Sequence, residues 1–346
     1  MSELVVNGRF RLQKMTGIQR VGEAITARLH TPYVVIEPQK HAGGMAGHAW
    51  EQSVLPARAK GRLIWGPCNT GPITVASQVL TIHGAAVFDH PEWFSPSFAR
   101  LNGSLWPTLA KRARHIVTVS HFSKGRISEV LNIPENKITV IWNGVGESFK
   151  PSSRAEIEIA TASVGIANRP YFATLSTIEP RKNLKLVLQA WTKAKPYLPS
   201  DMVLLVIGGK GSKAIFASSS VDDYAASEGV VFTGYVAEEM LPPLLSGAQG
   251  VLYPSIYEGF GLPVLEAMAC GVPAVTTYLT SLPEVGGDAA LYVDAEDPQG
   301  LANTLINLAN SEDLRRERSA MGLERAKLFS WDQAAASMDT IFAKYL

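Results

Sequence analysis

The sequence predicts an α/β protein built from two doubly wound domains, each a parallel sheet wrapped by helices. Three observations predict it. Short aliphatic and β-branched runs alternate with helical stretches through both halves of the chain. The pattern loosens near residues 146–169, where Pro151, Ser152, Ser153 and Asn168-Arg169-Pro170 punctuate it. A chain of 346 residues is also long enough to bury two cores of ordinary size. Domains are therefore expected at 1–150 and 170–328, joined by a linker at 146–169 and followed by a terminal segment, 329–346.

The first half opens with a strand at Leu4–Val6, a Thr16-Gly17 turn and an amphipathic helix from about Ile18 to Leu29. Apolar runs of strand length follow at Tyr33–Ile36, Leu63–Trp65, Val79–Ile82 and Ile116–Val119. Ser120 is a suitable N-cap for the next helix. Lys137–Trp142 is a further strand, closed by the turn signal Asn143-Gly144. In the second half, strands are expected at Tyr171–Ser176, Met202–Ile207, Val230–Phe232, Gly250–Tyr253, Ala274–Thr276 and Leu291–Val293. Helices are expected from Leu184, through Glu238–Leu245, and along the C-terminal segment. Sheets of this kind bind ligands at the carboxyl ends of their strands, so a cleft between the domains is the expected site.

Composition narrows the class. Charged residues are 18% and hydrophobic residues 46%, as in a globular α/β protein, and no apolar run approaches bilayer length. The start, MSELVVNGRFRL, is too polar for a signal peptide, so a cytoplasmic setting is expected. Cys68 and Cys270 offer neither a disulfide framework nor metal-ligand spacing, and Cys270 reads as a small core residue. The net charge of +1 conceals an asymmetry: residues 1–150 hold 17 Lys+Arg against 9 Asp+Glu, and residues 151–346 hold 15 against 22. The basic half suits an anionic partner. With no nucleic-acid module in view, an anionic membrane surface or a lipid diphosphate is preferred to nucleic acid. The stretch Pro91–Pro107, with Trp93, Phe94, Phe98 and Trp106, is followed by Lys111, Arg112 and Arg114. It fits a membrane boundary, an acceptor-binding wall or ordinary core packing.

The most informative segment is residues 253–276, YPSIYEGFGLPVLEAMACGVPAVT. Glu258 and Glu266 stand eight positions apart, separated by the turn Gly259-Phe260-Gly261 and the helix opening Leu262-Pro263. Such a turn aims backbone N–H groups and a helix N-terminus at a polar or anionic ligand. Glu258 lies at the helix mouth and Glu266 one turn inside it, so both can reach one ligand from different depths. Earlier, Glu179-Pro180-Arg181-Lys182-Asn183 places two cations at the end of a strand and the start of a helix. That position suits a bound diphosphate, since helix N-termini otherwise favour acids. Gly208-Gly209-Lys210-Gly211-Ser212 lacks the spacing of a P-loop, and no G-x-G-x-x-G follows the first strand, which disfavours a dinucleotide oxidoreductase.

This E-x7-E block with its GFGLP turn resembles the donor-binding motif of the retaining glycosyltransferases of family 4, which have the GT-B fold. Four other regions match in order. These are Val6–Arg9 with Met15–Val21, which is similar to members that build bacterial surface polysaccharides, then Thr81–Gly84, then Ser120–Lys124 with Val140–Val145, and Glu179–Asn183. The final Phe329-Ser330-Trp331 and its helix match as well, and in the family that helix crosses back to the first domain.

The resemblance implies transfer of a hexose, mannose or glucose, from a GDP- or UDP-sugar to a lipid-linked or oligosaccharide acceptor. It implies no cofactor and no metal, the cations taking the metal's place at the diphosphate. Arg181, Lys182 and the Gly17 backbone would stabilise the leaving diphosphate. Glu258 and the backbone of Gly259, Phe260, Gly261 and Leu262 would hold the donor sugar, and Glu266 the ribose. His83 would lie near the donor sugar; Arg20, His83 and Asp89 are candidates on the acceptor side. Arg20 fits a solvated helix position equally well. Many relatives carry Asp after the His, where this chain has Gly84, so that role is absent or falls to Asp89. A zinc site of His83, Asp89 and His90 matches no metal spacing. The alternatives are a nucleotide-sugar 2-epimerase of the same fold, or a non-catalytic nucleotide-sugar-binding protein.

Overall fold

A computed structural model describes residues 3–13, 15–39, 44–176, 179–209 and 228–346. The chain divides into two units, Met1–Pro91 with Pro96–Gly144 and Phe329–Leu346, and Glu92–Ser95 with Val145–Leu328.

The first unit is built on six strands: β1 (Leu4–Asn7), β2 (Tyr33–Ile36), β3 (Ile64–Gly66), β4 (Gln78–Thr81), β5 (His115–Thr118) and β6 (Ile138–Val140). They form one parallel sheet in the order β2-β1-β3-β4-β5-β6. Inner strands covered on both faces must be apolar throughout, and Leu4, Val5 and Val6 are indeed fully buried. β1 lies between β2 and β3, so the strand order reverses at its carboxyl end. The helix Gly17–Thr26 follows β1, and Ser120 caps the helix His121–Leu131 by accepting from Ser123 N at 3.0 Å.

The second unit repeats the scheme with β7 (Tyr171–Leu175), β8 (Val203–Ile207), β9 (Val230–Gly234), β10 (Val251–Tyr253), β11 (Ala274–Thr277) and β12 (Leu291–Val293). Their order is β12-β11-β10-β7-β8-β9, again all parallel, and here the reversal falls between β7 and β10. The helices Leu184–Ala194 and Pro298–Asn310 cover one face, burying Val187, Leu188, Trp191, Leu301 and Leu305 against Phe172, Leu204, Leu252 and Val275.

Several features depart from the sequence reading. Two long helices, Gly44–Ala59 and Pro96–Arg112, occupy stretches with no clear helical signal, because each carries an internal proline, Pro56 and Pro107. The second of them resolves the aromatic stretch. Trp106 is 5% exposed and packs on Phe88 at 5.7 Å between ring centroids, so it is core rather than a membrane anchor. Trp93, Phe94 and Phe98 are half-buried, and the Trp93 ring stands edge-on to Tyr257 at 6.3 Å. Segment 146–169 is an ordered part of the second unit; its helix Arg154–Ser163 begins with a reciprocal Ser153–Glu156 capping box. Lys210, Gly211 and Ser212 of the glycine-rich loop lie outside the described residues.

The final helix, Trp331–Ala343, is part of the first unit. Phe342 is fully buried with its ring 5.6 Å from that of Trp65, and Asp339 accepts from the backbone N–H groups of His30 and Thr31, each at 2.9 Å. Phe342→Ala should therefore destabilise the first unit by about 3–5 kcal/mol, the usual cost of emptying a buried aromatic site. Chemical denaturation checks this, and an unchanged midpoint would show that the last helix is no part of that core.

Candidate active site

The charged residues of the second unit gather at its strand-order reversal. After β7, Pro180–Lys182 form one tight helical turn and Asn183 adopts a left-handed conformation before the helix at Leu184 begins. After β10 comes the loop Ser255–Gly261. The two loops are laced together: Ile256 N donates to the Arg181 carbonyl at 2.9 Å and Ser255 Oγ donates to it at 2.7 Å.

The side chains then interlock. Arg181 presents Nε and Nη2 to the two oxygens of Glu179, both at 3.0 Å, and Nη1 to Glu258 Oε2 at 2.7 Å. Lys182 Nζ donates to Glu258 Oε1 at 2.7 Å and lies against the Tyr253 hydroxyl and ring. The same Oε1 accepts from Tyr253 OH at 2.7 Å and lies 2.8 Å from Ser255 Oγ, whose one proton is shared between it and the Arg181 carbonyl. Glu179 and Glu258 are buried, Lys182 nearly so, and Arg181 is the most exposed of the four, its side chain 23% accessible.

Two cations thus balance two carboxylates in a place water barely reaches. Burial alone would raise the Glu258 pKa, but Arg181 and Lys182 outweigh it and bring it down to about 2. Burial and the neighbouring Arg181 lower the Lys182 pKa against the pull of Glu258. Burial lowers the Arg181 pKa, yet Glu258 and Glu179 more than reverse it and hold the guanidinium charged. Tyr253, buried beside Glu258, is pushed well above its ordinary value.

The turn that follows is fixed through its backbone. Glu258 N donates to Thr280 Oγ1 at 3.1 Å, and Ser281 Oγ shares its one proton between the carbonyls of Glu258 and Phe260, at 2.9 and 2.8 Å. Gly261 caps the helix Leu262–Ala269 at φ +112°, a conformation that side-chain-bearing residues rarely adopt. Phe260 is buried, so its backbone rather than its ring is left to serve a ligand. Glu266 sits one turn into the helix and is 5% exposed. Cys270, at the end of the same helix, has its thiol pushed up to about 12 by burial, as befits a core residue rather than a nucleophile.

In the first unit, Gly17 is the exposed first residue of its helix, and Arg20 lies half-buried within the helix's first turn. His83 follows β4. Its backbone N donates to Asn69 Oδ1 at 2.8 Å and its Nε2–H to the Pro67 carbonyl at 2.7 Å. A carbonyl can only accept, so this bond fixes the Nε2–H tautomer and leaves Nδ1 as the acceptor. Burial lowers the imidazole pKa to about 4, against the opposing effect of the Pro67 bond, so the ring is neutral at ordinary pH.

Asp89, the alternative to an Asp at position 84, has a cationic partner of its own. It is gripped by Arg126 through Nε at 3.2 Å and through Nη2. The same engagement speaks against a zinc site with His83 and His90. Gly84 itself has φ +150°, so the local backbone is one that an aspartate would rarely adopt.

Of the residues expected from sequence, the structure brings Arg181, Lys182 and Glu258 into direct contact. Sequence reasoning assigned no role to Glu179, Tyr253, Ser255, Thr280 or Ser281. The rule that ligands gather at carboxyl strand ends points to all five, since they end or follow β7, β10 and β11.

Because the folded Glu258 pKa lies below its unfolded value, the stability it contributes is present above about pH 4.5, near the ordinary Glu pKa, and lost as pH falls toward about 2. Wild type should therefore lose stability more steeply than Glu258→Gln across that window in denaturant titrations at stepped pH. Parallel profiles would show that the carboxylate is not held by the two cations.

Comparison with known proteins places the chain in a family. The family model described as glycosyl transferases group 1 matches residues 157–325, and that of glycosyltransferase family 4 matches residues 73–149. An O-antigen chain mannosyltransferase B from Escherichia coli is 34% identical over 268 residues, which is 77% of this chain and 70% of that protein. The O-antigen chain mannosyltransferase RfbU of Salmonella typhimurium is 28% identical over 254 residues, 73% of this chain and 66% of that one. Among solved structures, Anabaena HepE in complex with UDP and glucose superposes with a TM-score of 0.76 at 18% identity, covering 99% of this chain and 100% of that one. Sucrose-phosphate synthase from Thermosynechococcus elongatus gives 0.77 at 18% identity, covering 99% of each. At such identity the structures establish the fold, GT-B, while the sequence matches establish the kinship. The chain belongs to the family 4, group 1 glycosyltransferases and is an enzyme of that class.

Proposed function

We propose that the enzyme transfers a hexose, mannose in the first instance and glucose in the second, from a GDP- or UDP-sugar to a lipid-linked or oligosaccharide acceptor in surface polysaccharide synthesis. The anomeric configuration is retained. The observation that carries this reading is the sharing of Glu258 between Arg181 and Lys182 at the strand-order reversal of the second sheet. Two cations held on one carboxylate form a site that a diphosphate can enter by exchange. The incoming phosphates replace Glu258 as counterion, and the released carboxylate becomes free to accept from sugar hydroxyls. The names of the relatives, which are mannosyltransferases of O-antigen chains, favour mannose. HepE, whose structure contains UDP and glucose, supports a nucleotide-sugar donor.

In this reading Arg181, Lys182 and the N–H of Gly17 stabilise the departing diphosphate, which removes the need for a metal there. The backbone of Gly259, Phe260, Gly261 and Leu262 orients the sugar, and Glu266 takes the ribose hydroxyls. His83, neutral and fixed in one tautomer, contributes from the first unit as a hydrogen-bonding group near the transferred sugar. Arg20 is kept as an acceptor-side residue. Asp89, with Arg126 as its counterion, is kept on the same side. The relatives named above are transferases, which disfavours both an epimerase and a non-catalytic binder. Among the described residues no helix is long and apolar enough to cross a membrane. The basic excess of residues 1–150 supports a peripheral approach to an anionic inner membrane face, by charge and without Trp106.

Calorimetry and turnover with a panel of GDP- and UDP-sugars test the proposal. Glu266→Ala should weaken nucleotide binding by about 10- to 100-fold, the loss of hydrogen bonds to a charged group. Glu258→Ala should lower kcat more than it weakens nucleotide binding. Unchanged donor affinity in Glu266→Ala, or no turnover of any sugar nucleotide by the wild type, would contradict it.

A further inference from the structure

The first unit contains a second buried charged cluster, at the strand-order reversal of its own sheet, for which the reaction above has no use. Glu51, on the helix Gly44–Ala59, is 0% exposed. Its Oε1 accepts from Asn7 Nδ2 at 2.6 Å and from Thr70 Oγ1 at 2.8 Å, and its Oε2 accepts from Arg9 Nη1 at 3.2 Å. His48 Nδ1 lies 3.2 Å from the same Arg9 nitrogen. Asn7 ends β1, Arg9 follows it, and Thr70 belongs to the loop after β3. Arg9 is 6% exposed, and its Nε has no partner among the described residues. A buried ion pair is a poor way to stabilise a fold, since apolar residues of like volume do as well or better. What such a pair does well is hold several elements in one arrangement.

The element it holds is the loop Pro67–Thr70. One side of this loop grips His83: Pro67 O accepts from Nε2–H at 2.7 Å and Asn69 Oδ1 from the His83 backbone at 2.8 Å. Asn69 is itself in a left-handed conformation at φ +65° and donates to the Thr81 carbonyl at 3.0 Å. The other side, through Thr70, is bound to Glu51. Within the loop the remaining polar side chain, the Cys68 thiol, contacts the Ile18 carbonyl at a long 3.6 Å, and beyond Thr70 the same helix also holds the Gly71 carbonyl and Ile73 N–H through Gln52, at 3.0 and 2.8 Å.

We propose that Glu51, with Arg9 as its counterion, is a positioning residue for His83. Acting through Thr70, it presses the 67–70 loop against the imidazole and so keeps His83 as the Nε2–H tautomer in a single orientation, with Nδ1 as its one remaining acceptor. The proposal rests on the reading of His83 as a participant in transfer only for its effect on rate. Its structural content, the state of the imidazole, stands apart from that reading.

The test is imidazole 15N NMR of the full chain at pH 7.5, with the His83 signals assigned from their loss in His83→Asn. It compares wild type with Glu51→Gln and with Thr70→Val, which keeps shape and charge and removes only the link. Wild type should show the Nε2–H signature. Both variants should show a mixture of tautomers, together with a kcat lowered by about 10- to 100-fold, as misplacement of a reacting group does, and unchanged affinity for GDP or UDP. Unmoved His83 signals in the folded Thr70→Val protein would overturn the proposal, whatever happens to kcat. Moved signals with full activity in His83→Asn would uphold the positioning and instead remove His83 from the reaction.

Discussion

The second unit is arranged around a buried carboxylate that two cations must share. Burial works against the charge of Glu258 and of Lys182, and the opposite charges beside them favour it. Each of the four therefore fixes the others. The loops after β7 and β10 are stitched by backbone bonds because the side chains they carry leave no other arrangement in which every charge has a partner. The strand order makes this possible: β7 and β10 are neighbours in the sheet yet leave it in different directions, which opens space at their carboxyl ends. A site neutral in sum but made of separable charges is suited to a dianionic group that arrives, displaces one carboxylate, and departs.

The first unit uses the same device for a different purpose. At its own strand-order reversal the ion pair Arg9–Glu51 is closed off rather than open, and its partners are structural: a strand end, a helix and a loop. On the proposed readings, similar chemistry divides between a site that exchanges its counterion and one that holds a loop still. Accessibility decides between them. The Arg181 side chain is 23% exposed, whereas those of Arg9 and Glu51 are 8% and 0%.

Much of this was legible in the sequence, for identifiable reasons. Strands buried on both faces read as unbroken apolar runs, as Val203–Ile207 does, and even the half-buried edge strands Tyr33–Ile36 and Leu291–Val293 end where the sequence places them. Arg181, Lys182 and Glu258 were legible because cations and a carboxylate in loops directly after strands have little structural reason to be there. Helices Gly44–Ala59 and Pro96–Arg112 were not, since prolines and a weak apolar stripe hide the helical period. Partnerships across long separations were also hidden. Glu51 meets Arg9 from 42 positions away, and Arg126 meets Asp89 from 37. Tyr253 and Ser255 looked like ordinary strand-end residues until the fold turned both hydroxyls onto one oxygen of Glu258.

On the proposed function, Arg181 and Lys182 form a diphosphate site whose resident counterion is Glu258. Calorimetric titration with a nucleoside diphosphate and the corresponding monophosphate, on wild type, Arg181→Ala and Lys182→Ala, tests it most directly. Wild type should prefer the diphosphate, and each substitution should reduce that preference by about tenfold or more, the loss of one charge-assisted contact of roughly 1.4 kcal/mol or greater. Monophosphate affinity should change little. An equal preference for the diphosphate in all three proteins would contradict the account.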